Sequence, residues 1–123
     1  MNAHDAITDL HADALSQAIH ARQVSCREVM QAYLQRIHQR NPLYNAIVNL
    51  APDEVLLTQA DACDAELAAG QSRGWMHGMP QAIKHTGATV GFPTTYGSPL
   101  LKDMVAHKDC VICLLYTSDA ADD

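Results

Sequence analysis

An α/β fold, with helices packed around a sheet, is what this 123-residue chain predicts. Three observations carry that reading. Three stretches place apolar residues at helical spacing. One of them opens on a sharp helix-start signal at residues 25–28. Two short apolar runs, residues 46–50 and 82–84, suit strands. The resulting order is helix, helix, strand, helix, strand. It predicts an incomplete α/β unit, because two short strands make a poor sheet and three amphipathic helices need more to pack on.

The first helix is expected from about residue 10 to residue 22, with Leu10, Ala14, Leu15, Ala18 and Ile19 on one face. Ser25 and Glu28 then form a capping box: the Ser25 hydroxyl can accept from the Glu28 amide while the Glu28 carboxylate reaches back. The helix that follows buries Val29, Met30, Tyr33, Leu34 and Ile37. Asn41 and Pro42 should end it, since the residue before proline avoids the helical region. After the strand at 46–50, a third helix opens with Pro52, Asp53 and Glu54, a proline and two acids suited to the positive end of a helix dipole. Leu56, Ala60, Cys63 and Leu67 mark its stripe, and Gly70 caps its end. Residues 71–80 form a loop. Residues 82–84 form a brief strand, and residues 85–99 form turns with one extended piece near residues 94–96.

Composition narrows the function classes. The formal net charge is −6, which argues against a nucleic-acid surface. No apolar run approaches the roughly 20 residues of a membrane span. The residues at positions 1–5 lack the basic start and apolar stretch of a signal peptide, so a cytoplasmic protein is expected. Cys26, Cys63, Cys110 and Cys113 show no secreted-type spacing, and thiols are expected rather than disulfides.

Chemistry concentrates in residues 75–98. Lys84 ends the apolar Ala82 and Ile83, and a loop rich in Gly, Thr and Ser follows. An unperturbed lysine ammonium, with a pKa of about 10.4, cannot accept a proton at neutral pH. Partial burial disfavours the charged form and can make such an amine a base. The ordinary alternative for a lone lysine is a solvated surface group. His4, His11, His20 and His38 read as solvated polar-face residues. His77, beside Gly78 and Pro80, reads as a shaper of the backbone.

Residues 10–112 resemble the N-terminal part of the amidase signature family. The likeness rests on Val24 and Ser25 with Glu28 and Val29, on the helix around Tyr33 and Ile37, and on Asn41-Pro42 leading to Asn45-Ala46. It is strongest at His77, Gly78, Pro80, Ala82, Ile83 and Lys84, followed by Gly91, Thr94, Thr95, Tyr96, Gly97 and Ser98. The resemblance implies a large mixed sheet between helices, a small-molecule amide substrate, and hydrolysis of a carboxamide C–N bond without metal or organic cofactor. It implies a catalytic unit of a nucleophilic serine, a second serine with a cis peptide bond, and a lysine, which maps onto Lys84. Both serines belong to a downstream Gly/Ser-rich segment that nothing in this chain matches. Where the family usually has Asp after the lysine, this chain has His85.

The chain is therefore expected to divide into residues 1–112, an N-terminal fragment of an amidase domain that is inactive alone, and residues 113–123, an artefactual tail. The tail resembles a one-frame translation of a transposase-end adapter used in sequencing libraries. On that reading the spacing of Cys110 and Cys113, which looks like a redox or metal motif, is incidental. No second cysteine pair accompanies it to complete a zinc site. Two other readings stay open: the amidase subunit of a tRNA-dependent amidotransferase, and a small helical binding module without chemistry.

Overall fold

Ser25 starts the longest helix in the way its sequence predicts. Its side-chain oxygen accepts from the Glu28 amide at 3.0 Å, and the Glu28 carboxylate accepts from the Ser25 amide at 2.8 Å. The computed structural model describes residues 3–84 and 86–113, which divide into two compact units, Met1–Pro80 and Gln81–Asp123. The described helices of the first unit are α1 (Ala3–Thr8), α2 (Ala12–His20), α3 (Cys26–Tyr44) and α4 (Asp53–Ala68).

The single helix expected over residues 10–22 is replaced by α2, which is shorter and is preceded by a separate helix, α1. His11 is extended (ψ 154°) at the N-cap of α2, so Leu10 lies outside the helix and is exposed. α2 ends in a Schellman pattern. The Arg22 amide donates to the Ile19 carbonyl and the Gln23 amide to the Ala18 carbonyl, both at 2.9 Å. That pattern needs a left-handed residue, and here it is Arg22 (φ 55°) rather than glycine. The Arg22 guanidinium also donates to the Leu67 carbonyl at 2.8 Å, so the strained position carries a bond to the end of α4.

α4 closes the same way with the residue the sequence favours. Gly70 (φ 78°) donates to the Leu67 carbonyl and Gln71 to the Glu66 carbonyl. At its start Pro52 is the N-cap, and Asp53 and Glu54 occupy the first turn. A second, tertiary cap joins α4 to α3. The Asp64 carboxylate accepts from the Cys26 amide at 2.7 Å and from the Arg27 amide at 3.1 Å. The first three amides of α3 are thus satisfied by Ser25 and Asp64. Leu15, Ile19, Cys26, Val29 and Ala60 form the core of this unit, with Tyr33, Cys63, Leu67 and Met79 packed against it. Each fully buried aliphatic side chain there contributes about 1.5–3 kcal/mol of transfer free energy.

Two expectations fail around Pro42. The helix does not stop at Asn41; α3 runs to Tyr44 with Pro42 inside its last turn and Asn45 (φ 49°) as a left-handed cap. Proline removes only its own amide bond, and the Asn45 amide still donates to the Asn41 carbonyl at 2.6 Å. Residues 46–50 do not form a strand. Ile47 instead pairs with a side chain: its amide donates to Asn41 Oδ1 at 2.9 Å, and Asn41 Nδ2 donates to its carbonyl at 2.8 Å. The Asn41 side-chain amide takes both groups that a neighbouring strand would have used.

The second unit is built from turns. The run 82–84 is coil, and no strand forms among the described residues. Two isolated bridges, Val90 with Ala106 and Pro93 with Val105, are this unit's extended pairings among the described residues, outside the two runs expected as strands. A short 3-10 turn, Pro99–Leu101, starts at Ser98, whose side chain accepts from the Leu100 amide at 3.3 Å. The extended piece expected near residues 94–96 ends in a tight turn instead. Tyr96 (φ 47°) and Gly97 (φ 71°) are both left-handed, and the Ser98 amide donates to the Thr95 carbonyl at 2.8 Å.

Two stability outcomes follow. Asp64→Ala should lower the unfolding free energy by about 1–2 kcal/mol, as loss of a helix cap does; a shifted urea midpoint at unchanged slope measures it. Gly78→Ala should also destabilise: Gly78 has φ 73°, and a Cβ there would lie 2.2 Å from Cys26 Sγ. Cys26→Ala should restore part of that loss by removing the overlap while leaving the backbone strain.

Candidate functional site

Lys84 sits at the start of a tight turn. The Gly87 amide donates to the Lys84 carbonyl at 2.7 Å, closing residues 84–87. Gly87 is required by proximity: a Cβ there would lie 2.8 Å from Ile83 Cγ2 and 3.3 Å from the Lys84 carbonyl oxygen. Ile83 is half-buried beneath this turn, and Lys84 is exposed. An open cavity of about 450 Å3 runs beside it, lined by Ile83, Lys84, Thr86, Gly87, Cys110 and Ile112 among others. The partial burial that a basic lysine needs is not provided by the described residues of this unit. His85, next in the chain, lies outside the described residues, as do residues 114–123 of the expected tail and Ser118 within them.

The serines are committed elsewhere. Ser25 and Ser98 cap helical turns. Ser16 donates to the Trp75 carbonyl, and Ser72 pairs with His20 Nε2 at 2.9 Å. His20 was expected to be solvated. It is exposed, yet Nδ1 donates to the Ser16 carbonyl at 2.8 Å, so both ring nitrogens have partners. His11 is the exposed N-cap of α2, and His38 Nε2 lies 2.8 Å from the Asp53 carboxylate.

His77 is a staple for the loop 71–80. It is 2% exposed. The Arg73 amide donates to Nδ1 at 3.1 Å, and Nε2 donates to the Cys63 carbonyl at 2.8 Å. Those two bonds fix the tautomer and commit both ring nitrogens to the backbone, in keeping with a backbone-shaping role.

His77, Cys63 and Glu66 bring one ligand-type atom each within 4.8 Å of one another. Each is already engaged. Both His77 nitrogens meet backbone groups. The Glu66 carboxylate takes a two-pronged bond from Arg73, with Nε donating at 2.7 Å and Nη2 donating to the other oxygen. Burial pushes the Cys63 thiol up, away from the thiolate that metals bind. This donor set fits a hydrogen-bonded loop anchor better than a metal site. Neither Asp64 nor this loop anchor carries a local sequence signature; only the Glu66–Arg73 charge pair, seven residues apart, hints at one.

A family model described as Amidase matches residues 28–120. The chain is similar to a Bdellovibrio bacteriovorus protein named as a glutamyl-tRNA(Gln) amidotransferase subunit, 38% identical over 95 residues, covering 77% of this chain and 19% of that one. The protein of the same name from Thiobacillus denitrificans is 43% identical over 96 residues, covering 78% and 19%. A Mycobacterium bovis protein named "Putative amidase AmiD" is 32% identical over 108 residues, covering 88% and 22%. The chain spans about a fifth of the length of these relatives.

The Arg73 guanidinium, hydrogen-bonded to Glu66, holds that carboxyl below its usual range. A depressed folded value stabilises above the unfolded value of 4.5 and is lost as pH falls through the folded one. Glu66→Gln should therefore be less stable than the parent chain at pH 7, by about 0.5–1 kcal/mol for a partly exposed pair. The gap should close on acidification below the ordinary glutamate range. Urea midpoints of the two chains across pH 3–7 read it.

Proposed function

The chain belongs to the amidase family, and on that premise we propose that it is the N-terminal part of an enzyme that hydrolyses a carboxamide C–N bond with Lys84 as its base. One observation carries the proposal: Lys84 stands at an open, largely apolar cavity inside the segment that the family model covers. The cavity gives one wall of a site in which an amine could be partly desolvated. Residues 1–112 are then the N-terminal part of the amidase domain.

In the proposed reaction the neutral lysine accepts a proton relayed through a bridging serine from the nucleophilic serine. Backbone amides of a Gly-rich segment would hold the oxyanion. The described serines of this chain are engaged as caps and loop bonds, which supports a nucleophile outside them. Neither step calls for a metal or organic cofactor.

A second reading is favoured by the relatives' names. The amidotransferase name recurs among them, from Bdellovibrio bacteriovorus to Thiobacillus denitrificans. On that reading the same amide cleavage delivers ammonia within a multi-subunit complex that acts on a charged tRNA. The net charge of −6 gives this chain no evident nucleic-acid surface of its own, so tRNA contact would belong to other parts of the complex. Free ammonia from a simple amide supports the first reading. Ammonia release that depends on a partner protein and charged tRNA supports the second.

Lys84→Ala in the full-length protein should lower kcat by about 10²–10⁴-fold, the usual worth of a general base. A variant with near-normal kcat removes Lys84 from the mechanism. Residues 1–123 alone should release no ammonia from a simple amide, and turnover by this purified chain would place a nucleophile within it.

A further inference from the structure

Ser72 and His20 meet on an exposed part of the first unit, Met1–Pro80, and have no role in the amide reaction proposed for Lys84. The Ser72 hydroxyl lies 2.9 Å from His20 Nε2. The far side of the ring decides which atom holds the proton. Nδ1 lies 2.8 Å from the Ser16 carbonyl, which can only accept, so Nδ1 carries the ring proton. Nε2 is then the acceptor, and Ser72 donates to it. A hydroxyl bonded to a base, with the base oriented by a third group, is the arrangement that activates a serine.

One residue holds both partners. Ser16 is 8% exposed. Its carbonyl takes the His20 proton, and its hydroxyl donates to the Trp75 carbonyl, which fixes the loop carrying Ser72 against α2. The His77 ring meets the His20 ring edge-on, with centroids 6.2 Å apart. The Gly74 amide donates to Ser72 Oγ at 3.2 Å, a bond that strengthens as the oxygen loses its proton. This prior ordering removes part of the entropy cost of bringing nucleophile and base together.

The same bonds set the class of substrate. An oxyanion forming on an attacked carbonyl needs free donors, each worth about 10²–10³-fold in rate. Here the Gly74 amide is spent on Ser72 and the Arg73 amide on His77. An amide, with its poor leaving group, needs that help, whereas an ester of an acidic phenol does not. Trp75, exposed in the same loop, offers an aryl group a flat apolar face.

We propose that Ser72 and His20 form a nucleophilic dyad that takes the acyl group of activated aryl esters. Ser72 Oγ attacks the ester carbonyl carbon as its proton passes to His20 Nε2. The bond from that carbon to the phenolic oxygen breaks, and the phenol leaves with the proton from His20. Ser72 then carries the acyl group as an ester, and nothing is oxidised or reduced. Water attacks the acyl-serine by the same route, its proton passing through His20 to Ser72 Oγ, and the carboxylic acid is released.

The test treats the full 123-residue chain with p-nitrophenyl acetate at neutral pH and follows p-nitrophenol release, intact mass and peptide mapping. The parent chain should release p-nitrophenol in a burst and carry one acetyl group on Ser72. Ser72→Ala should lose both the burst and that label. His20→Gln, whose amide can bond Ser72 but cannot take its proton, should acetylate Ser72 at least about tenfold more slowly. Urea midpoints check that both variants fold. If either does not, the parent chain decides alone: Ser72 should be labelled ahead of every other serine when folded, and that preference should vanish in urea. The proposal is overturned if the acetyl group maps only to lysines or the N-terminus, or if Ser72→Ala keeps the burst, which would make His20 the nucleophile. It is equally overturned if His20→Gln labels Ser72 at the parent rate.

Discussion

The Asp64 carboxylate is the polar group that joins α4 to the start of α3. It sits on α4, yet it accepts from the first two amides of α3, Cys26 and Arg27. A helix start leaves several amides without intrahelical partners, and burying them unpaired costs more than a typical hydrogen bond contributes. Cys26 is fully buried, so water cannot serve its amide. The bond therefore holds α3 against α4 while it completes the α3 cap. The nearby Arg27–Asp61 pair (2.5 Å) is exposed at both ends and adds little by comparison.

From that fixed point the rest of the first unit follows. With Cys26 held, its sulfur leaves space only for a residue without a Cβ, and Gly78 fills the place. Gly78 brings His77 under the loop 71–80, where the ring bonds Cys63 and Arg73. Arg73 reaches Glu66 on the same helix as Asp64. The loop 71–80 is thereby tied to α4 through residues 63 and 66. Lys84 itself lies in a different unit, where Gly87 and Ile83 set the turn. There the proposed role of Lys84 rests on how much water the amine keeps, because a lysine becomes a base only when its charged form is disfavoured.

Local signals were legible where their physics is local. Ser25 and Glu28 cap each other within one turn, and Gly70 ends α4 by supplying the left-handed backbone that its last carbonyls need. Lys84 was singled out by its motif as the proposed base, and its surroundings were not legible. Arg22 takes the place of a glycine because Leu67, 45 residues away, offers its guanidinium a carbonyl. Pro42 stays helical because only one amide bond is lost in the last turn, and the expected strand at 46–50 yields to the Asn41 side chain.

The sequence by itself determined the starts of α3 and α4, the end of α4, the apolar faces of these helices, and which lysine stands in the family's motif. Those features depend on neighbours within a turn or on a motif read residue by residue. The tertiary structure decided the Asp64 cap, the burial of His77, the exposure of Lys84 and the meeting of the Cys110 and Cys113 sulfurs. It also decided that residues 46–50 and 82–84 are not strands. A strand exists only through the chain beside it, and a buried polar group only through the partner that replaces water. No local run of residues specifies either one.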